Sequence, residues 1–229
     1  KKDRFLSQSE LCEVWGWCND IKGMWYYRQL VKLLVSFGAR TQEIRLSKVS
    51  EWDLQSMVWT CPKGHSKNGK EVIRPIPDGL KEYIQSLIEQ AKKSGSVYLL
   101  GELKQSAAVS AWGGALHKKL GHTKWNLHDL RRTVATHLSD SGIAPHIVES
   151  LLGHSLKGVA GIYNRSQYPE QKRSASGLWT TILEQKKQKS KGMGIIQKRV
   201  AILNDMYTDK VDIKISDLQE NGTGTKVLF

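Results

Sequence analysis

The sequence predicts a mainly helical α+β fold with one small antiparallel β-sheet. Helical hydrophobic spacing with recognisable capping residues recurs along most of the chain. The stretch between residues 56 and 76 is instead rich in β-forming residues around an Asn68-Gly69 turn, which predicts a hairpin or a three-stranded sheet. With 229 residues, of which 39% are hydrophobic, the chain can bury one sizeable core or two small ones.

Capping signals mark the ends of several predicted helices. Ser7 and Glu10 have the spacing of a capping box, and Gly38, Gly142 and Gly153 follow apolar helical stretches as stop residues. The predicted helices span residues 24–37, 78–93, 105–120, 128–141, 145–152, 156–164 and 168–189, with one more that opens at Ser7 and a short turn at 39–45.

A change of composition divides the chain near residue 185. Residues 1–185 form the predicted domain, and residues 186–229 form a basic C-terminal tail that begins with a lysine-rich run. Alternation at residues 211–215 predicts a strand in this tail, which would pair with a sheet edge of its own domain or of a neighbour.

The charge balance indicates a polyanionic partner. The chain has 35 Lys and Arg against 22 Asp and Glu, a net charge of +13. Such an excess favours nucleic acid, although a ribosome-associated or simply well-solvated basic protein has the same balance. No apolar run approaches the roughly 18 residues of a membrane span, since Lys32 interrupts the best candidate, so we expect no membrane partner.

The cysteines argue against a disulfide framework and against a metal site. Cys12, Cys18 and Cys61 are odd in number and irregularly spaced, which fits a reducing cytoplasm. Cys61 and His65 are four residues apart, but a zinc site needs four ligands and no second pair has ligand spacing. We therefore expect a cytoplasmic protein with neither a metal nor another cofactor.

Four separated elements hold residues suited to cutting a phosphodiester without a metal. The phosphate oxygens gain charge in the transition state, and guanidinium groups clamp such oxygens better than point charges do. A hydroxyl must attack, and an acid must protonate the leaving oxygen. The candidates are Arg40 and Arg131 as clamps, Tyr163 as the nucleophile, Lys67 as the general acid, and His128 and His154 as hydrogen-bond donors or proton carriers.

Each candidate, taken alone, also has an ordinary structural interpretation. Arg40 could form an ion pair with Glu43 within a helix, and His128 and Arg131 could lie on a solvated helix face. His154 could be a helix cap, Lys67 a surface charge and Tyr163 a core aromatic residue.

Taken together and in order, the motifs resemble those of the tyrosine recombinases, also called phage integrases. Residues 128–133, His-Asp-Leu-Arg-Arg-Thr, are similar to the family's His-x-x-Arg box, and Leu152-Gly153-His154 and Tyr163 follow at the family's separations. Residues 38–44, Gly-Ala-Arg-Thr-Gln-Glu-Ile, are similar to the box around its first arginine. The resemblance covers roughly residues 5–185, implies the catalytic-domain fold of that family, and is greatest to integrases of prophages and genomic islands.

The family's lysine lies on a β-hairpin ahead of a proline-containing strand. Lys67 has that position if the proline is Pro75, and Lys70 has it if the proline is Pro77. Because residues 66–69, Ser-Lys-Asn-Gly, match the start of the family's turn better, Lys67 is the preferred general acid and Lys70 the alternative.

The resemblance implies the catalytic domain of a site-specific recombinase that integrates or excises a mobile element. Tyr163 would attack a scissile phosphate to form a 3′-phosphotyrosine, and this covalent storage would make rejoining independent of ATP and metal. The other implied roles are transition-state stabilisation by Arg40 and Arg131, protonation of the leaving 5′ oxygen by Lys67, proton transfer near the tyrosine by His128, hydrogen bonding to a phosphate oxygen by His154, and support from Glu43 and Asp129.

The implied partners are double-stranded DNA attachment sites, other protomers in a tetrameric synaptic complex, and accessory DNA-bending or directionality proteins. Family members carry an upstream core-binding helical domain, and none is recognisable in this sequence, so we expect weak, salt-sensitive DNA binding by this domain alone. Two alternatives are a type IB topoisomerase-like enzyme, which uses the same chemistry on one strand of one duplex, and a non-catalytic DNA-binding module of the same fold.

Overall fold

The computed structural model describes residues 4–20, 23–154, 168–184, 214–217 and 225–228, and it confirms the predicted α+β class. The chain divides into two units, Lys1–Gln185 and Lys186–Phe229. The described helices are α1 (Gln8–Cys18), α2 (Trp25–Phe37), α3 (Thr41–Leu46), α4 (Lys81–Lys93), α5 (Ser106–Lys119), α6 (Leu127–Asp140), α7 (Pro145–Leu152) and α8 (residues 169–184). The strands of the first unit are β1 (Trp52–Asp53), β2 (Val58–Cys61) and β3 (Val72–Pro75), with short 3-10 turns at Val49–Glu51 and Asp78–Leu80.

Local capping interactions set the helix ends, as the sequence predicts. The Ser7 hydroxyl accepts a hydrogen bond from the Glu10 backbone, and the Glu10 carboxylate accepts one from the Ser7 backbone, so the capping box forms. Gly38 follows α2 with a left-handed backbone, φ +57°. Pro145 starts α7 and Gly153, with φ +74°, ends it.

The three strands of the first unit form an antiparallel sheet in the order β1-β2-β3. The register pairs Trp52 with Trp59 and Val58 with Pro75. The two tryptophan rings stack with their centroids 4.7 Å apart, and Phe37 of α2 packs edge-on against both. The sheet therefore joins the helical core through an aromatic contact, which also buries Trp52 of the two-residue strand β1.

Buried side chains hold α8 against the rest of the first unit. The Trp179 indole nitrogen donates a hydrogen bond to the Val35 carbonyl of α2 at 2.8 Å, and Leu183 is fully buried. Lys172 donates from Nζ to the Ile73 carbonyl of β3, also at 2.8 Å. The helix predicted at 168–189 is described over residues 169–184, and both of its polar anchors reach backbone carbonyls.

The second unit contains an antiparallel pair of strands, β4 (Lys214–Asp217) and β5 (Thr225–Leu228). The strand predicted at 211–215 overlaps β4 at residues 214–215, and residues 211–213 lie outside the described part of the chain. The helix predicted at 156–164 also lies outside it. None of the helices described is long and apolar enough to cross a membrane.

Candidate active site

A buried carboxylate, that of Glu43 in α3, lies among the candidate residues. Its Oε1 accepts a hydrogen bond from Arg40 Nη1 at 2.8 Å, and its Oε2 accepts from the Arg40 backbone N–H at 3.1 Å and from Arg74 Nη2 at 2.7 Å. The Glu43 side chain is fully buried, whereas that of Arg40 is 14% exposed. The ion pair of Arg40 with Glu43, which the sequence offered as a structural interpretation, is confirmed, and it fixes the Arg40 guanidinium at the start of α3.

The two arginines keep Glu43 ionised. Burial by itself would raise the pKa of Glu43, but the charge of Arg74 and the hydrogen bonds from Arg40 outweigh burial and hold the pKa below the usual carboxyl value. An ionised carboxylate with three donors has little freedom to turn, so it orients both guanidinium groups.

Arg131 of α6 is buried and only partly satisfied. Its Nη1 donates to the Gly38 carbonyl at 2.8 Å, whereas its Nη2 has no hydrogen-bond partner among the described residues. Burial and the nearby charges of Arg40 and Arg74 lower the pKa of Arg131 to about 9. The charge of Arg131 is therefore destabilised here, and an anion at Nη2 would relieve both the unmet hydrogen bond and the repulsion.

The two candidate histidines lie within electrostatic reach of both arginines. His128, in the first turn of α6, is only partly covered, and this partial burial, together with the charges of Arg132 and Arg131, lowers its pKa. Burial and the charge of Arg131 likewise lower the pKa of His154, and Arg40 contributes to both shifts. The fold thus brings together residues that are about ninety positions apart in the sequence.

Glu149 of α7 orients His154. The carboxylate bonds to His154 Nδ1, and the His154 backbone N–H donates to the Glu149 carbonyl at 2.9 Å. With Nδ1 directed to the carboxylate, Nε2 is the ring nitrogen left for a ligand, and it donates only when the ring is protonated. Glu149 opposes the effects of burial and Arg131 on the pKa of His154, so it favours that protonated form.

We expect Glu149→Gln to lower the pKa of His154, so that the alkaline limb of the pH profile moves to lower pH for the DNA cleavage that the sequence motifs imply. Losing the carboxylate lowers the His154 pKa further, so the ring loses its proton earlier as pH rises. The measurement is the single-turnover cleavage rate across a pH series. Glu89→Gln, an exposed change on α4, is the control, and coincident profiles for all three proteins would contradict the role of Glu149.

Lys67 and Lys70 are both exposed in the connection between β2 and β3. The neighbouring side chain of Asn68 donates to the Gly153 carbonyl at 3.5 Å, so this connection reaches the residue before His154. Pro75 belongs to β3, whereas Pro77 lies beyond the strand. Lys67 and Lys70 both precede this proline-containing strand, so the preference for Lys67 as the general acid stays a prediction.

Gly153 sits where a side chain would not fit. Its φ of +74° is left-handed, and a Cβ there would lie 2.7 Å from both γ-carbons of Val72. The missing side chain lets the end of α7 lie against β3, which places His154 beside the arginines.

We expect Gly153→Ala to destabilise the protein by about 3 kcal/mol, through left-handed strain together with the clash against Val72. Gly142→Ala is the matched control, because φ is +82° there and no atom lies within 4 Å of the added Cβ. The strain alone should cost that variant about 1 kcal/mol. Urea denaturation measures both values, and equal losses would show that the contact with Val72 contributes nothing.

Other predicted residues have structural contacts or lie outside the described part. Asp129 is buried, accepts from the Asn126 backbone at 2.9 Å at the start of α6, and pairs with Arg132 at 2.8 Å. His65 lies 3.0 Å from the Glu51 carboxylate, and the described residues contain no His, Cys, Asp and Glu group that could hold a metal. Tyr163 lies outside the described residues.

Three residues of this region were not predicted from the sequence: Arg74, Glu149 and Lys172. Arg74 is fully buried and Lys172 is buried, each with its charged group bonded inside the protein. A sequence signal exists for Arg74, since it is the single charged residue within the apolar strand Val-Ile-Arg-Pro. Neither Glu149 nor Lys172 stands out from the other charged residues of its helix.

Comparisons with known proteins identify the family of this chain. The model of the phage integrase family matches residues 4–170. The chain is 27% identical over 146 residues to prophage integrase IntZ of Escherichia coli K12, covering 63% of this chain and 36% of that protein. It is 29% identical over 146 residues to tyrosine recombinase XerA of Pyrococcus furiosus, covering 60% and 49%. The chain thus spans half or less of the length of these curated relatives.

Solved structures share the fold at low sequence identity. The integrase from mycobacterium phage Brujita superposes with a TM-score of 0.57 at 16% identity, over 76% of this chain and 57% of that one. The lambda integrase catalytic core does so with a TM-score of 0.51 at 21% identity, over 66% and 94%. Because the family model matches well over half of its residues, this chain belongs to the phage integrase family.

Proposed function

We propose that this chain is the catalytic domain of a site-specific DNA recombinase, which cleaves and rejoins strands through Tyr163. The observation that carries the proposal is the buried Arg131, whose Nη2 has no partner among the described residues and whose charge acts on both His128 and His154, as does that of Arg40. A phosphate diester supplies the charge and acceptors that such a site lacks. Family membership supports the same chemistry.

In the proposed reaction, the two arginines hold the non-bridging oxygens of the scissile phosphate while the tyrosine hydroxyl attacks phosphorus and gives up its proton to His128. Arg131 binds through Nη2, and Arg40 is held ready by Glu43. The charge on the phosphate grows in the transition state, where pre-oriented donors stabilise it most. Lys67, with Lys70 as the alternative, protonates the leaving 5′ oxygen. The resulting 3′-phosphotyrosine is then attacked by a 5′-hydroxyl of the partner strand.

We propose double-stranded DNA as the substrate and other protomers as partners, in a tetrameric synaptic complex with accessory DNA-bending or directionality proteins. A net charge of +13 supports DNA. Two structural neighbours support parts of this proposal. XerH recombinase bound to its difH substrate, at a TM-score of 0.54, supports DNA, and a lambda integrase dimer bound to a core site, at 0.53, supports DNA and a second protomer.

A covalent-capture experiment with randomised DNA tests the proposal and selects the cleaved sequence in the same step. The protein is incubated at low salt with nicked duplexes that carry a randomised core, because low salt strengthens phosphate contacts. Adducts that survive denaturation are isolated and sequenced. We expect enriched adducts for the wild type and for Tyr168→Phe, the same substitution five residues away, and none for Tyr163→Phe.

The outcomes separate the proposal from its alternatives. No adduct, or equal adducts with Tyr163→Phe, would overturn catalysis through this tyrosine. DNA binding without any adduct would indicate a non-catalytic module of the same fold. Adducts without strand exchange between two duplexes would indicate a type IB topoisomerase-like enzyme.

A further inference from the structure

Arg74 is the most deeply buried cation beside the site, with no exposed surface. Its Nε donates to the Leu151 carbonyl at 3.1 Å, and its Nη2 donates to the Leu152 carbonyl at 3.1 Å and to Glu43 at 2.7 Å. Its guanidinium carbon lies 4.8 Å from the centroid of the Trp59 ring. The side chain therefore links β3 to α7 and α3 at once.

Each end of this link lies next to a residue that we propose to bind the phosphate, His154 at one end and Arg40 at the other. The carbonyls of Leu151 and Leu152 belong to the last turn of α7, where backbone oxygens lack helical partners and attract a cation. His154 follows two residues later. At the other end, Glu43 holds the guanidinium of Arg40. A change at Arg74 would therefore shift His154 and Arg40 relative to each other.

We propose that Arg74 is a positioning residue for the recombinase centre, which sets the distance between Arg40 and His154 without touching DNA. The proposal rests on the proposed function. Because Arg74 has no exposed surface, it acts from inside the protein, through its hydrogen bonds to Glu43 and the end of α7 and through its charge on Arg131. Lys172 donates to the adjacent carbonyl of β3, that of Ile73, so the same strand also anchors α8.

Arg28 provides a matched control, because it has the same kind of environment away from the site. It is buried, donates to the carbonyls of Gly23 and Trp17, pairs with Asp20 at 3.1 Å, and lies 4.6 Å from the Trp17 ring centroid. Lysine at either position keeps the charge but loses the planar fork that reaches several acceptors.

The test compares Arg74→Lys with Arg28→Lys in the 229-residue chain, on a nicked duplex isolated by the covalent-capture experiment. We expect similar losses of melting temperature in both variants and unchanged dissociation constants for DNA. The single-turnover cleavage rate at saturating DNA should fall about a hundredfold in Arg74→Lys, as expected for a misplaced catalytic group, and by less than about twofold in Arg28→Lys. A general loss of stability would not separate the two variants in this way.

A double-mutant cycle tests whether Arg74 acts through Glu43. In a Glu43→Gln background, Arg74→Lys should reduce the cleavage rate far less than it does in the wild type, because the ion pair between Arg74 and Glu43 is already lost. Equal effects in the two backgrounds would overturn this route. If Arg74→Lys does not fold, Arg74→Gln and Arg28→Gln take its place in the same comparison.

The result also separates this proposal from the proposed function. A wild-type protein without a Tyr163-dependent adduct would overturn the recombinase assignment itself. A wild type that forms the adduct, with equal cleavage rates in Arg74→Lys and Arg28→Lys, would overturn only the positioning role of Arg74.

Discussion

Replacing Arg131 with lysine should lower the rate of DNA cleavage about a thousandfold. The guanidinium uses Nη1 to hold the Gly38 carbonyl, its Nη2 is the proposed phosphate donor, and a lysine ammonium cannot occupy both positions. The transition state loses a fixed donor where its charge is greatest. Single-turnover cleavage of the captured duplex measures the loss.

Arg132→Lys is the matched control for this prediction. It makes the same substitution one residue away, on a side chain that is 40% exposed and pairs with Asp129. We expect cleavage within about threefold of the wild type, since exposed ion pairs contribute little. Similar losses in the two variants would show that the arginine fork of Arg131 is not what the reaction uses.

Arg131 can also be tested without DNA. At ten times its dissociation constant, inorganic phosphate should raise the melting temperature of the wild type by about 4 °C, because the anion binds only the folded site. Arg131→Lys should lose most of this rise and Arg132→Lys should keep it. A rise that persists in Arg131→Lys would place the phosphate elsewhere.

Replacing Glu43 with glutamine should destabilise the protein by about 3–5 kcal/mol at neutral pH, the range expected when a buried ion pair loses one partner. Arg74 would then keep its charge in the interior without a carboxylate, and Arg40 would lose the group that orients it. We expect DNA cleavage to fall with the loss of that orientation. Urea denaturation and the single-turnover cleavage rate measure the two effects.

The pH dependence of this destabilisation has a defined sign. The folded-state pKa of Glu43 lies below its usual value of 4.5, so its contribution is fully present above that value and disappears as pH falls through the folded-state pKa. The difference in unfolding free energy between wild type and Glu43→Gln should therefore shrink in acid. A constant difference down to the acid limit would contradict this account.

Glu51→Gln is the matched control for Glu43. Both glutamates occupy the third position of a capping box and have nearly buried side chains. Burial raises the pKa of Glu51 despite its backbone and Trp59 hydrogen bonds, so folding does not favour its ionised form. We expect a cost of about 1 kcal/mol or less. A cost equal to that of Glu43→Gln would mean that the arginines around Glu43 add no stability.

Short-range interactions explain why most of the helices were predictable. The Ser7 capping box, the left-handed Gly38 and the Pro145 start of α7 are each decided by residues within four positions of one another. Strand β1 was less predictable, because two residues cannot display an alternating pattern. Its position follows from the stacking of Trp52 on Trp59, a contact across the sheet.

The candidate site likewise contains residues that could be predicted from the sequence and residues that could not. The order of Arg40, Lys67, His128, Arg131 and His154 could be recognised from motifs, because each motif is a few consecutive residues. Glu43 and Asp129 were also recognised as supporting residues, but Arg74 was not, because it contacts Glu43 and Leu151 from 31 and 77 positions away. No local pattern encodes such pairings.

The helix ends, the basic charge and the set of candidate residues could be predicted from the sequence, since all three depend on neighbouring residues or on composition. Three further features appear only in the folded protein: Glu43 is shared by two arginines, Arg131 keeps one nitrogen without a described partner, and Glu149 directs His154. Burial explains the difference, because a charge inside the protein takes its properties from whatever the fold places around it, near or far in sequence.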